Sequence, residues 1–384
     1  MLKVNPYLDN IEVSVIRKIA EAASKYKNIK GGKKLINLTI GEPDLPQSKI
    51  IKEETVDYIM DAKLGYSQLG GVLELREEIA KYYKNKYNVD VKPDEIIVTV
   101  GSTEGLSTAI KTVILPGDEV ITPLPVYPGY EPLIILAGAK LIKVDTSDDG
   151  YELTVETLKR YVNEKTKAII LNYPSNPSGV VISEKNRDEI LRFARENNLY
   201  IISDEVYSEI LFEGKHNSFL QNDFRDNVIL VNGFSKSHSL TGWRIGYVIS
   251  SKKIRDYLIK VHQYTVTSAS IISQKGALIA LKKCSCIDEQ VKIYKERAVR
   301  VYNKLQDAGI NAIKPKGAIY IFVSIGEGNS LKFAEKLLES QRVAVVPGIA
   351  FGMDNFIRLS LVSDLDELLK ATDRIIEFIN SNRV

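Results

Sequence analysis

Lysine, arginine and hydroxyl side chains crowd the segment Asn232–Tyr247, NGFSKSHSLTGWRIGY, in which Ser235 precedes Lys236 and Arg244 follows eight residues later. An amine attacks a carbonyl only in its neutral form, so a lysine in a cramped, non-helical turn is a candidate for imine chemistry. A planar guanidinium suits a phosphate through paired hydrogen bonds. Three further stretches offer complementary groups. VTVGSTEGLSTAI (98–110) ends a strand at Gly101 and is expected to start a helix at Ser102 or Thr103. Such a junction offers an anion free backbone N–H groups, two hydroxyls and the positive end of a helix dipole. LNYPSNPSG (171–179) holds Asn172 and Asn176 on a turn stiffened by two prolines. IISDEVYSEI (201–210) puts Asp204 just past an apolar run, with Tyr207 three residues on. A carboxylate there is costly unless hydrogen-bonded, exposed or matched to a cation. Singly, these are an N-cap, a turn, a salt bridge and a surface lysine.

The elements that must position these groups are legible as runs of apolar, β-branched residues. IIVTV (96–100), EVITP (119–123), KLIKV (140–144), KAIIL (167–171), LYIIS (199–203), VILVN (228–232) and YVIS (247–250) alternate with helix-length segments. Several are apolar at consecutive positions, as strands covered by helices on both faces require. The fold class predicted is α/β, a mostly parallel sheet with helices on both faces, plus a smaller α+β domain. Long charged helices, notably Ile287–Leu305, and the strands AIYIFV, VAVV and FIRLSL form that second part. A helix near 12–25 and the short strand LINLTI are too little to fold alone and are expected to pack on it. The expected divisions are 1–47 for the N-terminal segment, 48–285 for the large domain and 286–384 for the small one.

Composition sets further limits. With 384 residues, the chain is long for a single core. Its 52 basic and 49 acidic residues leave +3, without the basic field of a nucleic-acid binder. The basic cluster KYKNIKGGKK (25–34) reads as a solvated loop. Cys284 and Cys286, one residue apart, suit neither an ordinary disulfide nor zinc and fit a reducing cytoplasm, and three scattered histidines give a metal centre no support. PLIILAGA (132–139), the longest apolar run, is far short of the roughly 20 residues of a membrane span, and the N-terminus has no export core.

Taken together, four strand ends present a phosphate nest, an asparagine, a carboxylate, and a lysine with an arginine. One ligand would use them all: an anionic aromatic aldehyde with a ring nitrogen, pyridoxal 5'-phosphate. Asp204 would keep the ring nitrogen protonated, and Asn176 and Tyr207 would bond the ring hydroxyl.

The chain resembles the fold-type I, class I/II aminotransferases over nearly its whole length. The motifs LTIGEPDLP, YSQLGGVLELR, VGSTEGL, PVYPGYEP, NYPSNPSG, SDEVYSEI, FSKSHSLTGWRIGY, PKGAIYIF and FIRLSL occur in order. The resemblance implies Lys236 as the Schiff-base lysine and general base, and Asp204 at the pyridine nitrogen. Tyr207 and Asn176 would lie at the ring hydroxyl and Tyr127 on the ring face, with Ser102, Thr103, Ser235 and Arg244 at the phosphate. Arg358 would grip the substrate α-carboxylate with help from the Gly41 backbone, and Tyr66 would reach the phosphate of a neighbouring subunit, implying a homodimer with shared sites. The substrates implied are a small-molecule amino acid and a 2-oxo acid, with glutamate and 2-oxoglutarate as one pair. Ser237 and His238 after the lysine, where the family often has Ala-Tyr, look most like the bacterial aminotransferase A branch, assigned to N-acetyl-diaminopimelate amino transfer in lysine synthesis. Aspartate or aromatic transamination is the alternative. A carbon–sulfur β-lyase shares the same cofactor contacts, whereas a ligand-sensing regulator would need residues ahead of the motif that begins at Leu38.

Overall fold

The computed structural model describes residues 4–26, 33–284 and 287–381. Most of the basic cluster and Cys286 lie outside the described residues. In chain order, α1 (Val15–Ser24) and β1 (Ile36–Asn37) are followed by α2 (Lys49–Asp61) and α3 (Leu73–Tyr87). Then come β2 (Ile96–Thr99), α4 (Gly101–Val113), β3 (Glu119–Leu124), α5 (Tyr130–Leu136), β4 (Lys140–Asp145) and α6 (Val155–Lys159). They lead to β5 (Thr166–Asn172), α7 (Glu184–Glu196), β6 (Tyr200–Asp204), β7 (Val228–Gly233), β8 (Gly246–Ile249), α8 (Lys252–Val266) and α9 (Ile271–Lys283). The last part holds α10 (Ile287–Asp307), β9 (Ala312–Ile313), β10 (Tyr320–Ser324), α11 (Ser330–Gln341), β11 (Val343–Ala344), β12 (Val346–Pro347), β13 (Phe356–Ser360) and α12 (Leu365–Ser381).

All seven runs expected as strands of the large sheet are strands, in the spatial order β2-β8-β7-β6-β5-β3-β4. Neighbours pair in parallel except at β8, which is antiparallel to both β2 and β7. The consecutive apolar residues divide between two cores. Ile169 and Leu171 join Ile201, Leu230, Ile79 and Ile190 on one face. Ile170 joins Ile202, Val231, Ile110 and Ile134 on the other. Both faces are thus dry, which is why these strands do not alternate with polar residues.

A second sheet, β12-β13-β10-β9, is antiparallel, and β1 pairs in parallel with β11. Ile19, Ile36 and Leu38 from the chain's start share a core with Tyr294, Ile321 and Ile357. Two boundaries differ from expectation. Only Ile36–Asn37 of LINLTI is strand, because only those residues pair with Val343–Ala344. Helix α4 starts at Gly101, ahead of the expected hydroxyl residues, since its φ of +72° lets the backbone leave β2 and turn into helix with no linker. Among the described residues no helix is long and apolar enough to cross a membrane.

Candidate active site

Strand register assembles one side of the site. Asn172 and Asp204 end adjacent parallel strands as direct partners, Asn172↔Asp204. The Asn172 amide donates to the Asp204 carbonyl at 2.9 Å, and its Oδ1 accepts from the Asn176 N–H at 2.8 Å. The proline turn therefore fixes Asn176 over the strand end. Asp204 is buried, and its carboxylate accepts from the Tyr130 hydroxyl at 2.7 Å and the Val206 N–H at 3.3 Å. Burial pushes its pKa from 3.8 up to about 6, against the pull of the Tyr130 hydrogen bond and the charge of Lys236. The next residue anchors the turn from inside: Glu205 accepts from Ser203, Ser218, the Phe219 N–H and pairs with His216.

The anion side is built by glycines. The expected strand ends are not all neighbours, because β8 runs between β2 and β7. Its first residue, Gly246, lies between Thr99 and Gly233 in register. A Cβ on Gly246 would stand 2.8 Å from the Gly101 carbonyl carbon and from the Ser102 nitrogen. Without a side chain there, the start of α4 packs directly against the backbone at the start of β8 and the end of β7. Arg244 closes the same corner. Its guanidinium lies so near Gly101 that a Cβ would be 2.8 Å from Nη2, while Nη1 donates to the Thr241 carbonyl at 3.1 Å. Arg244 has a φ of +50°, a left-handed backbone that non-glycine residues seldom adopt and that turns it back towards α4.

Lys236 Nζ donates to the Gly41 carbonyl and lies 6.0 Å from the centre of the Tyr207 ring. Arg358 is buried on β13, with Nη1 donating to Asn176 Oδ1 at 3.1 Å and Nη2 to the Thr39 carbonyl at 2.8 Å. Its Nε has no hydrogen-bond partner, and its other nitrogens bond only an amide oxygen and a backbone carbonyl, no carboxylate, among the described residues. Burial holds its pKa below the usual value for arginine. Tyr127 packs edge-on against Tyr130, with ring centres 5.3 Å apart, in a cavity that Thr122, Asn172 and Asn176 also line.

One chain thus brings together Gly41, Tyr127, Asn176, Asp204, Tyr207, Lys236 and Arg358, and places Ser102, Thr103 and Arg244 at the α4 start, while Ser235 lies buried just past the end of β7. Tyr66 is not among them, being 91% exposed on the loop between α2 and α3. The Tyr207 hydroxyl meets the Tyr320 hydroxyl at 2.8 Å. Sequence reasoning singled out neither Tyr130 nor Tyr320; their only signal was membership of PVYPGYEP and PKGAIYIF. His238 is buried, with Nδ1 2.8 Å from Ser237 Oγ. Burial and the nearby Lys86 charge pull its pKa from 6.5 to about 4, which leaves a neutral ring suited to packing on Phe234.

This sheet, with an acid, a lysine and an anion cradle at its strand ends, is the fold type I architecture. The chain belongs to the class I and II aminotransferase family, whose model matches residues 33–375. It is 39% identical to a probable N-acetyl-LL-diaminopimelate aminotransferase of Bacillus subtilis over 99% of this chain and 96% of that protein. It is 42% identical to a (5-formylfuran-3-yl)methyl phosphate transaminase of Methanocaldococcus jannaschii, over 97% and 98% respectively. The crystal structure of an aspartate aminotransferase from Thermotoga maritima superposes with a TM-score of 0.93 at 37% identity, covering 98% of this chain and all of that one (100%). The chain is an aminotransferase, an enzyme acting on amino and 2-oxo acids, from a family that uses pyridoxal phosphate.

Proposed function

We propose that this aminotransferase holds pyridoxal 5'-phosphate at the residues described and exchanges amino groups with glutamate and 2-oxoglutarate as one substrate pair. The observation that carries the reading is Arg358, a buried guanidinium without a carboxylate partner among the described residues, held by Asn176 beside Asp204 and Lys236. An uncompensated buried cation is strongly unfavourable, so a site of this kind calls for an anionic ligand. The donor set also fits the cofactor. A buried acid with a raised pKa gains most from a cationic ring nitrogen, and the glycine-lined start of α4 leaves backbone N–H groups open to a phosphate.

Bound there, pyridoxal phosphate would supply an aldehyde carbon that accepts the amino group and a protonated ring that withdraws electrons from the substrate Cα. Asp204 would hold the ring N–H, its carboxylate oriented by the Tyr130 hydroxyl. Ser102, Thr103, Ser235 and Arg244 would hold the phosphate, Tyr127 would pack on the ring, and Asn176 and Tyr207 would bond the ring oxygen. Arg358 and the Gly41 backbone would fix the substrate carboxylate, and Lys236 would act on the Cα proton. The Lys236 amine would be the base that takes up that proton and gives it back. In the net exchange the donor leaves as a 2-oxo acid and its amino group passes to the acceptor 2-oxo acid, which leaves as an amino acid.

Relatives named for N-acetyl-LL-diaminopimelate and for aspartate both support a second substrate carrying a distal acid group, and N-acetyl-LL-diaminopimelate is the donor we favour. The residue ranges 1–47, 48–285 and 286–384 are proposed as N-terminal segment, large domain and small domain. The cytoplasmic location rests on two cysteines unsuited to an ordinary disulfide. The test is borohydride reduction of the protein supplied with cofactor, followed by peptide mapping. A single tag on Lys236 is expected; a tag elsewhere, or none, overturns the reading. Comparing kcat/KM across N-acetyl-LL-diaminopimelate, aspartate, alanine and aromatic donors with 2-oxoglutarate then identifies the donor.

A further inference from the structure

Tyr320, the first residue of β10, is 2% exposed and touches three parts of the site at once. Its hydroxyl lies 2.8 Å from that of Tyr207, and the two rings meet edge to face with centres 5.7 Å apart. Its ring carries the Arg358 guanidinium, whose central carbon is 4.3 Å from the ring centre. Its tip also rests on Gly41, where an added Cβ would be 2.5 Å from the phenol oxygen. Gly41 in turn accepts from Lys236.

We propose that Tyr320 is a positioning residue that carries Arg358 on its ring and donates its only O–H to Tyr207, linking the carboxylate-binding arginine to the phenol at the cofactor ring oxygen. The inference rests on the cofactor assignment above. Its direction follows from counting protons. A phenol has one O–H, so a Tyr207 that gave its proton to Tyr320 would have none for a ring oxygen. Tyr207 can serve that oxygen only while it accepts from Tyr320. A cation on the face of the Tyr320 ring favours the arrangement in which that phenol gives its proton. A hydrogen bond received by Tyr207 polarises its own O–H and makes it the stronger donor. Carboxylate capture at Arg358 offsets the cation and weakens the chain of donors, so occupancy at one end is felt at the other.

The test uses the cofactor-loaded protein and reads the pH midpoint of its visible absorption band. Tyr320→Phe keeps the ring under Arg358 and removes the O–H. The ring oxygen becomes more basic, the proton of the lysine–cofactor linkage is held more tightly, and the midpoint rises by about half a unit to one unit. Binding of 2-oxoglutarate, which has no amino group to donate, changes by less than about twofold in Tyr320→Phe but weakens roughly tenfold in Tyr320→Leu, which loses the ring. The double variant Tyr207→Phe/Tyr320→Phe leaves no hydroxyl stranded and guards against a folding defect in the single variant. Its midpoint should equal that of Tyr207→Phe alone. An unmoved midpoint in Tyr320→Phe, or a further rise in the double variant over Tyr207→Phe, overturns the proposal. Failure of the wild type to develop a lysine-linked band would instead overturn the cofactor assignment, and this proposal with it.

Discussion

Asp204 shows how a single residue can be set for a ligand at the expense of the empty protein. Its carboxyl has a folded pKa of about 6 against 3.8 in its ordinary state, with burial as the main cause. The folded state therefore binds its proton more tightly than the unfolded state does. Its contribution to stability is full below pH 3.8 and is lost as the pH rises through about 6. The difference of roughly two units corresponds to about 3 kcal/mol. A neutral amide escapes that loss. Cofactor-free Asp204→Asn is expected to melt several degrees above cofactor-free wild type at pH 8, with the gap closing towards pH 4. Adding pyridoxal phosphate at pH 8 should raise the melting temperature of wild type far more than that of the variant. Thermal denaturation at the two pH values, with and without cofactor, checks both statements. A variant that melts lower than wild type at pH 8 without cofactor would contradict them.

At the level of elements, the site depends on how closely β8 approaches the start of α4, and Gly246 sets that distance. A methyl group there would meet the Asn232 carbonyl oxygen, the Gly101 carbonyl carbon and the Ser102 nitrogen, each at 2.8 Å and each part of the backbone. None can swing aside as a side-chain tip would, so strand and helix must separate. Gly246→Ala is expected to cost about 1–3 kcal/mol of stability and to weaken cofactor binding about tenfold or more, measured by denaturant unfolding and cofactor titration. Gly242→Ala, in the neighbouring loop with nothing within 4 Å of the added carbon, should change neither. This geometry could not be read from the chain. The central strands of the large sheet were legible because burial on both faces favours consecutive apolar residues, whereas the edge strand β4 exposes Lys140, Lys143 and Asp145. The candidate ligand groups were legible because Lys236, Asp204 and the Asn172–Asn176 turn sit at the ends of those runs. The reversal of β8 was not, since its apolar run matches its neighbours and its pairing with β2 joins residues far apart in sequence. Tyr130 and Tyr320 read as core aromatics until packing brings their hydroxyls to Asp204 and Tyr207.

For the molecule as a whole, the proposed homodimer would account for the exposure of Tyr66. The segment from α2 to α3 exposes Val56, Met60, Leu64, Tyr66 and Leu73, with Met60 at 79% and Tyr66 at 91%. Several exposed apolar side chains along one segment are costly in water. In the proposed homodimer they would be covered by a second copy, with Tyr66 donating to the partner's phosphate site. The two roles separate by mutation. Met60→Lys puts a charge at the centre of the apolar segment and should shift sedimentation towards the monomer. Cofactor affinity should fall in step, because each site loses the partner's phenol. Tyr66→Phe keeps the ring and loses only the donor, so it should sediment as wild type while binding pyridoxal phosphate roughly ten- to a hundredfold more weakly, the worth of one hydrogen bond to a charged group. Normal affinity in a monomeric Met60→Lys protein would show instead that each chain holds its cofactor without help from a partner.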